Sequence, residues 1–548
     1  LGDIQPSLEG RWIVNTLDGE VEVTTVFELL KEECKNYTPE KSSKITGVNA
    51  EVIRKTARIF ADAQPGMIYA GYAACKWLHG DLLQRAMLLM LALTGSTGKE
   101  GGGLQVANAP VARGMNQFGF SDVGPALRLI SATTWDYDHA DMKDLNERMY
   151  GKQLADNFDK HYKKSIEEDW FPDYSKSGWK MGIFAGNNGA NWRATGSFWR
   201  KTAFEELETI VSLTPDMGVT SMHSDYVLPI AHHYERDDLM LQSRVPYLQV
   251  LNEAVPPLGE SVDDWEANRR LAEAISKRAI ARGIKPIMDA VDGRSVRRDY
   301  TKTLELFTMG GRINNSKDVA QFIINTSHGL PKITFEELSE KGIVKVEGVD
   351  NTSWDNEESP YHTEVVRSVR EKKPYETFTG RQQFYIDHEW FIEFGETLPT
   401  YKEALSLKGY PMRMMMGHAR HGIHSTWRDE SFLLSLQRGE PDIYVNPDDA
   451  KERGVIDGDM VRIYNSAGEF SAMAHVSSGI QPGMLFMYHG WDPKMFKDQK
   501  NFGEVIPTGG LIKPTSMAGD YGHLGYQPLA YAPNQTYKDF TCDFEKSA

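Results

Sequence analysis

The 548-residue sequence has only three cysteines, Cys34, Cys75 and Cys542, and no two form a CxxC pair. A self-contained zinc site or iron–sulfur cluster is therefore not expected within it. It has no excess of basic residues. Its 61 Lys and Arg face 77 Asp and Glu, and no long basic stripe offsets the net charge of −16. That balance argues against nucleic acid as a partner. Long hydrophobic runs are missing as well: the longest, residues 86–93, is too short to cross a bilayer, so no direct membrane span is expected. Nor is there an initiator methionine, a leader segment, a GxGxxG fingerprint or a Walker loop. A chain that opens at Leu1 and runs at once into Glu9-Gly10-Arg11-Trp12 is expected to be a fragment, or one half of a longer polypeptide.

What is present is an ordinary globular composition, 40% apolar and 25% charged. The length suggests three or four domains. A strand pair is predicted over 12–15 and 21–25, then a linker and a helix whose Val48, Val52, Ile53, Thr56 and Phe60 share one face. Residues 67–70 read as a buried strand. The loop GYAACKWLHGD follows, with Asp81 placed to cap a helix over 82–94 that is apolar nearly all round and so expected in a core. Lys76, Trp77 and His79 thus lie between a strand's carboxyl end and a helix start, where open α/β sheets bind ligands. The alternative is that Trp77 packs in the core while Lys76 and His79 are solvated.

A second α/β unit begins at Lys180, with a strand over 181–185, the loop Gly186-Asn187-Asn188-Gly189, a helix over 199–207 and a strand over 208–213. A polar loop then carries Thr214, Asp216 and Ser221 before a strand over 226–230. This order is that of one nucleotide-binding half of a doubly wound sheet. A surface helix is predicted over 263–282, and the charged stretch 286–375 reads as insertion or linker. From 376 the pattern changes to short strands and turns, as in a β-barrel. Asn446-Pro447-Asp448-Asp449 is a helix start with an Asn cap, and the segment 460–476 is a hairpin.

One stretch stands apart. In MRMMMGHARHGIHSTWR (412–428) an apolar strand stops at Gly417 and runs into His418, Arg420, His421, His424, Ser425 and Thr426. Such donors at a strand end suit a polyanionic or heteroaromatic ligand. A polar loop after a core strand is the other possibility.

TGRQQFYIDH (379–388), GHARHGIHSTW (417–427), VNPDDAKERGVIDGDMVRIYNSAG (445–468), PGMLFMYHGW (482–491) and KPTSMAGDYGHL (513–524) occur in this order. Together they resemble the C-terminal domain of the molybdopterin oxidoreductases of the dimethyl sulfoxide reductase family. SDYVLPIAHHYERDDL (224–239) and ALTGSTGKEGGG (92–103) are similar to that family's preceding α/β domain. The branch resembled is type II, with nitrate, perchlorate and selenate reductases, nitrite oxidoreductases and ethylbenzene-type dehydrogenases. Nearly the whole chain is covered, as the C-terminal half of a catalytic alpha subunit.

The fold so implied is α/β, with doubly wound nucleotide-binding domains followed by a six-stranded, double-psi-like β-barrel. Residues 1–65 would end a preceding α/β domain, 66–285 form a dinucleotide-binding domain, 286–375 an insertion, and 376–548 the barrel. The resemblance implies a molybdenum bis(molybdopterin guanine dinucleotide). One nucleotide would lie on Gly186, Asn187, Thr214, Asp216 and Ser221. The other would lie on Gly417, His418, Arg420, His424, Ser425, Thr426, Asn465, His489 and Thr515. No residue of this chain is assigned as a metal ligand.

A [4Fe-4S] cluster is expected in an N-terminal half of the same polypeptide or in a partner subunit. The expected partners are an iron–sulfur beta subunit and a haem gamma subunit, in a periplasmic or equivalent extracytoplasmic compartment. Lys76, Trp77 and His79 are the candidate catalytic residues at the substrate funnel, with Asn108 and Arg113 as further polar candidates. Nitrate reductase relatives resemble a His-Trp-Tyr-His pattern there, so Lys76 is a departure, similar to hydrocarbon dehydrogenases. The leading expectation is a nitrite/nitrate-type oxidoreductase that passes two electrons to iron–sulfur clusters. The alternatives are an anaerobic hydroxylase of a hydrocarbon or steroid, and a scaffold paralogue without cofactor.

Overall fold

The computed structural model describes residues 5–71, 76–106, 137, 142–168, 180–192, 200–201, 204–241, 247–291, 294–327, 330–346, 365–375, 377, 380–436, 440–506, 513–517 and 538–547. Cys75, Asn108, Arg113 and the start of the helix expected at 199 lie outside them. The described chain is a mixed α/β structure ending in a closed barrel.

The first part carries a hairpin, β1 (Arg11–Thr16) and β2 (Gly19–Thr24), then helices α1 (Val26–Cys34), α2 (Pro39–Thr46) and α3 (Ala50–Asp62). Each helix opens on a side-chain cap, from Thr25, Thr38 and Asn49 respectively, which satisfies an otherwise orphaned backbone N–H. Strand β3 (Met67–Ala70) pairs in parallel with β4 (Gly103–Val106), and α4 (Gly80–Leu93) is the crossover between them. Two expectations about α4 fail. His79 occupies its N-cap position, and the Asp81 carboxylate turns away to accept from Lys513 Nζ at 2.7 Å. The helix is also two-sided: Leu82 and Leu91 are buried, whereas Leu83, Met90 and Leu93 stay more than a third exposed.

The second α/β unit is a parallel sheet of β5 (Met181–Ala185), β6 (Thr209–Thr214) and β7 (Tyr226–Pro229). Among the described residues of the helix expected over 199–207, 200–201 are π-helical and 204–206 form a turn. Arg200 is drawn elsewhere, to the Ala190 carbonyl at 2.6 Å and the Glu504 carboxylate at 2.7 Å. A short helix, Gly189–Trp192, follows β5 directly.

Strands β8 (Asp238–Leu241) and β9 (Tyr247–Leu251) precede the surface helix Asp264–Ala281, capped by Asp263. The described residues of the stretch expected to be insertion or linker are largely folded. They form a hairpin of β10 (Ile287–Val291) and β11 (Arg294–Arg298), then helices, then β12 (Ile343–Lys345), which pairs with β9. Leu248, Ile324, Leu338 and Val346 make that lobe's own core.

The barrel consists of β13 (Met412–Gly417), β14 (Asp442–Val445), β15 (Met460–Tyr464), β16 (Glu469–Val476), β17 (Met484–Tyr488) and β18 (Thr541–Lys546). Its order around the wall is β13-β17-β14-β16-β15-β18, closed. Closure leaves no unpaired edge. Every second side chain points inward: Met412, Met414 and Met416, then Val461 and Ile463, then Phe470, Ala472 and Ala474, then Leu485 and Met487. Period-two burial of this kind fixes the register, because a slip by one residue would turn each apolar set to solvent. β13 and β17 are parallel, so the segments after Gly417 and Tyr488 leave the barrel at the same end. That end is the mouth described next.

Candidate functional site

Three imidazoles meet at the mouth. His418 and His424 lie on the loop after β13, and His489 immediately follows β17. Their ring centroids stand 4.8, 4.6 and 5.2 Å apart. Gly490 makes the approach possible. Its φ is +97°, and a Cβ there would meet the His424 carbonyl oxygen at 1.7 Å. His424 itself is left-handed, with φ +51°.

Cations surround the trio. Arg428 is 2% exposed, donates from Nη2 to the His489 carbonyl at 2.5 Å, and lies 4.4 Å over the Trp491 ring. Lys538 donates its ammonium to the Met416 carbonyl, and its backbone N–H donates to the Lys76 carbonyl at 3.1 Å. Burial pushes the Lys538 ammonium down to about 8, with the nearby Lys76 charge adding to it. Burial, His418 and Lys76 also lower His424, and burial with His418 and His424 brings His489 down to about 3. The imidazole donor atoms of the trio all lie within 4.8 Å of one another. Neutral imidazoles at that spacing could share a metal ion, but the charges of Lys76, Lys538 and Arg428 favour an anion or a polar heteroaromatic ring.

The α/β unit reaches this loop through a residue the sequence reading passed over. Asn188 Nδ2 donates to Ser425 Oγ at 2.9 Å, while its Oδ1 accepts from the Thr220 backbone N–H at 3.0 Å. Behind it, fully buried Asn191 donates to Asp492 at 2.7 Å and accepts from buried Asn501 at 2.7 Å. Burial pushes the Asp492 carboxyl up to about 6. No periodicity marks these Asn residues; only their density near GNNG and HGW hinted at them.

The other expected ligand residues divide. Gly186, with φ +57°, and Asn187 stand exposed at the carboxyl end of β5, and Asp216 is exposed and hydrogen-bonded with Thr214 after β6. Ser221 is buried in the short helix Val219–Met222. Gly417 ends β13, and a Cβ there would lie 2.9 Å from the Phe486 ring. Arg420 and Thr426 are exposed on the mouth loop.

Asn465 is a correction. Its amide donates to the Val505 and Thr541 carbonyls at 2.7 and 3.0 Å and its oxygen accepts from Ala467 N–H, so its side chain stitches the barrel rather than facing a ligand.

The three candidate catalytic residues are split. Lys76 belongs to the cationic mouth. Trp77 and His79 instead line a cavity of about 450 Å³, with Tyr37, Leu82, Thr400 and Lys402. His79 Nδ1 lies 3.2 Å from the buried Glu396 carboxylate, so its place in a funnel with Lys76 is not what the structure arranges. A lysine side chain and a tryptophan one position later diverge in an irregular loop, which sequence adjacency cannot reveal.

Residues 21–274 match the molybdopterin oxidoreductase family, and residues 412–521 match the Molydopterin dinucleotide binding domain. The chain belongs to the molybdopterin oxidoreductase family. It is 33% identical to the respiratory nitrate reductase subunit alpha of Haloferax mediterranei over all of this chain and 57% of that protein. It is 34% identical to the perchlorate reductase subunit alpha of Dechloromonas aromatica, over all of this chain and 58% of that one. It is 32% identical to the dimethylsulfide dehydrogenase subunit alpha of Rhodovulum sulfidophilum, over all of this chain and 60% of that one. The chain thus spans about three fifths of the length of these curated relatives. Acetylene hydratase from Pelobacter acetylenicus has the same fold, with a TM-score of 0.59 and 18% identity over 95% of this chain and 66% of that one.

The residues at the mouth fit the family's cofactor. Thr515 is 3% exposed, and its hydroxyl has no hydrogen-bond partner among the described residues. An orphaned buried hydroxyl, together with the separate set of cationic donors at the mouth, is what a phosphate- or pterin-bearing ligand would satisfy.

Proposed function

We propose that the chain is the larger, C-terminal part of the catalytic subunit of a molybdenum oxidoreductase acting on a small oxyanion of the nitrate/nitrite type. It would carry a molybdenum bis(molybdopterin guanine dinucleotide). The observation that carries this reading is the pair of lysine charges, Lys76 and Lys538, standing with His424 at the mouth. An anion entering a partly buried site must replace its hydration, and a lysine ammonium is a compact charge suited to that.

His418, His424, His489, Arg420, Ser425, Thr426 and Thr515 would hold one dinucleotide, with Gly186, Asn187, Asp216 and Ser221 holding the other. The bound group would supply the two-electron oxygen-atom chemistry. The chain's part is to hold anionic groups with Arg, Lys and hydroxyl donors, and to keep His424 and His489 neutral as hydrogen-bond partners. Iron–sulfur clusters in an N-terminal half and a beta subunit, with a haem gamma subunit, would receive or deliver the electrons, in an extracytoplasmic compartment.

A second reading is hydroxylation of a hydrocarbon or steroid. The cavity beside Trp77, largely apolar, favours it. Elemental analysis, guanine nucleotide release and turnover of the full-length holoprotein test the proposal. Molybdenum, guanine and nitrate or nitrite turnover are expected. A purified holoprotein with neither molybdenum nor guanine would leave the scaffold reading standing. Turnover of an alkylbenzene or sterol, with none of nitrate or nitrite, would establish the hydroxylase.

A further inference from the structure

A second cluster of charge lies away from the mouth, and it is more deeply buried. Lys513 is wholly inaccessible, with Nζ 2.7 Å from Asp81 Oδ1 and 2.5 Å from Glu396 Oε2. Glu396 is also wholly inaccessible. Its other oxygen stands 3.2 Å from His79 Nδ1 and 3.0 Å from Lys402 Nζ. These charges come from three parts of the chain: the start of α4, the segment 396–402, and the short strap 513–517. Burying one such ion without its partners costs several kcal/mol, so the three segments are energetically tied.

The cluster has a direction. Lys513 is two residues from Thr515, whose buried hydroxyl has no partner among the described residues. His79 and Asp81 are three and five residues from Lys76. Arg85, one turn after Asp81 on the same helix face, donates to the Glu396 and Thr397 carbonyls, both at 2.7 Å. The loop is held again from the barrel, where Asp539 accepts from the Leu78 N–H at 3.1 Å. The loop bearing Lys76 and the strap bearing Thr515 therefore both meet at the same ion cluster.

We propose that Lys513, Glu396 and Asp81 are positioning residues that lock the loop bearing Lys76 to the strap bearing Thr515, so that loop and strap are set as one unit. None of the three is assigned to the ligand itself. The inference rests on reading the mouth as the binding site, but the coupling between the two segments is measurable whether or not the substrate is an oxyanion.

The test is amide hydrogen exchange of the full-length holoprotein, with molybdenum retention after gel filtration as the second reading. Lys513→Met alone leaves two carboxylates facing each other and tests folding more than position. The informative variants are Lys513→Met/Glu396→Gln, which removes the buried pair together, and Asp81→Asn, an isosteric change at a site still 17% exposed on its side chain. In both, exchange should rise in residues 76–85 and 513–517 together, by about tenfold in the double variant, while the barrel strands stay protected. Molybdenum retention should fall in step. Folded variants in which only one segment loosens, or neither does, overturn the coupling. Coupled loosening with unchanged molybdenum retention overturns the positioning role. A parent protein that holds no molybdenum would instead count against the proposed function.

Discussion

The Nδ1 of His424 lies 3.1 Å from the Nε2 of His489, although the two residues are 65 positions apart. At that distance one nitrogen must donate and the other accept, so both rings cannot be protonated together. Burial and the neighbouring imidazoles hold His489 at about 3, far below an unfolded imidazole.

The consequence for stability has a definite sign. Between about pH 6.5 and pH 3 the unfolded chain takes up a proton that folded His489 refuses, so stability is lost as pH falls through that interval. The loss amounts to at most about 1.4 kcal/mol per pH unit, and none arises above the unfolded value. Thermal unfolding of the parent and of His489→Gln, followed from about pH 8 to pH 5, checks this. The parent should lose stability more steeply on acidification, and parallel curves would refute the assignment.

Gly490→Ala should disable the mouth. The added methyl would meet the His424 carbonyl, and the backbone at φ +97° disfavours any side chain. A loss of roughly 2–4 kcal/mol is expected, concentrated at the loop after β13. A lowered melting temperature with low molybdenum content confirms it, and a variant indistinguishable from the parent would contradict the geometry.

Asn188→Ala removes the three side-chain bonds that join Ser425 to the Thr220 segment. It should cost about 1–3 kcal/mol and weaken cofactor retention. The exposed neighbour makes the comparison: Asn187→Ala should change the stability of the cofactor-free protein by no more than about 0.5 kcal/mol. If Asn187→Ala nonetheless lowers guanine content, its assignment to the dinucleotide is supported.

Lys76→Ala should raise the KM for nitrate or nitrite about ten- to hundredfold, a loss of roughly 1.5–3 kcal/mol for one charge-assisted contact. Steady-state kinetics of the holoenzyme decide it. Unchanged oxyanion kinetics would remove Lys76 from the substrate site.

Period and punctuation made much of the scaffold legible. The strands at 67–70, 181–185 and 469–476 and the helix opened by Asn446 and Pro447 stand at the expected positions, although the strand at 67–70, expected to be buried, leaves Met67 and Tyr69 exposed. These features are local: a strand's burial alternates residue by residue, and a cap needs only its next three neighbours. The barrel's closed wall was implied by the family resemblance, while its strand order is a property of pairing between distant segments.

The candidate site was legible in its residue types more than in its contacts. The imidazoles of 417–427 announced themselves as donors at a strand end, that of HGW was implied by the family resemblance, and the fold brings them together. What sequence could not decide was which side chains leave that site. Asn465 is consumed by backbone carbonyls, Trp77 and His79 turn toward another cavity, and Asp81 abandons its helix for Lys513. Each of these outcomes depends on a partner supplied from elsewhere in the chain, 432 residues away for Asp81 and Lys513. A buried charge takes whichever partner the fold brings within reach, and only tertiary structure determines that partner.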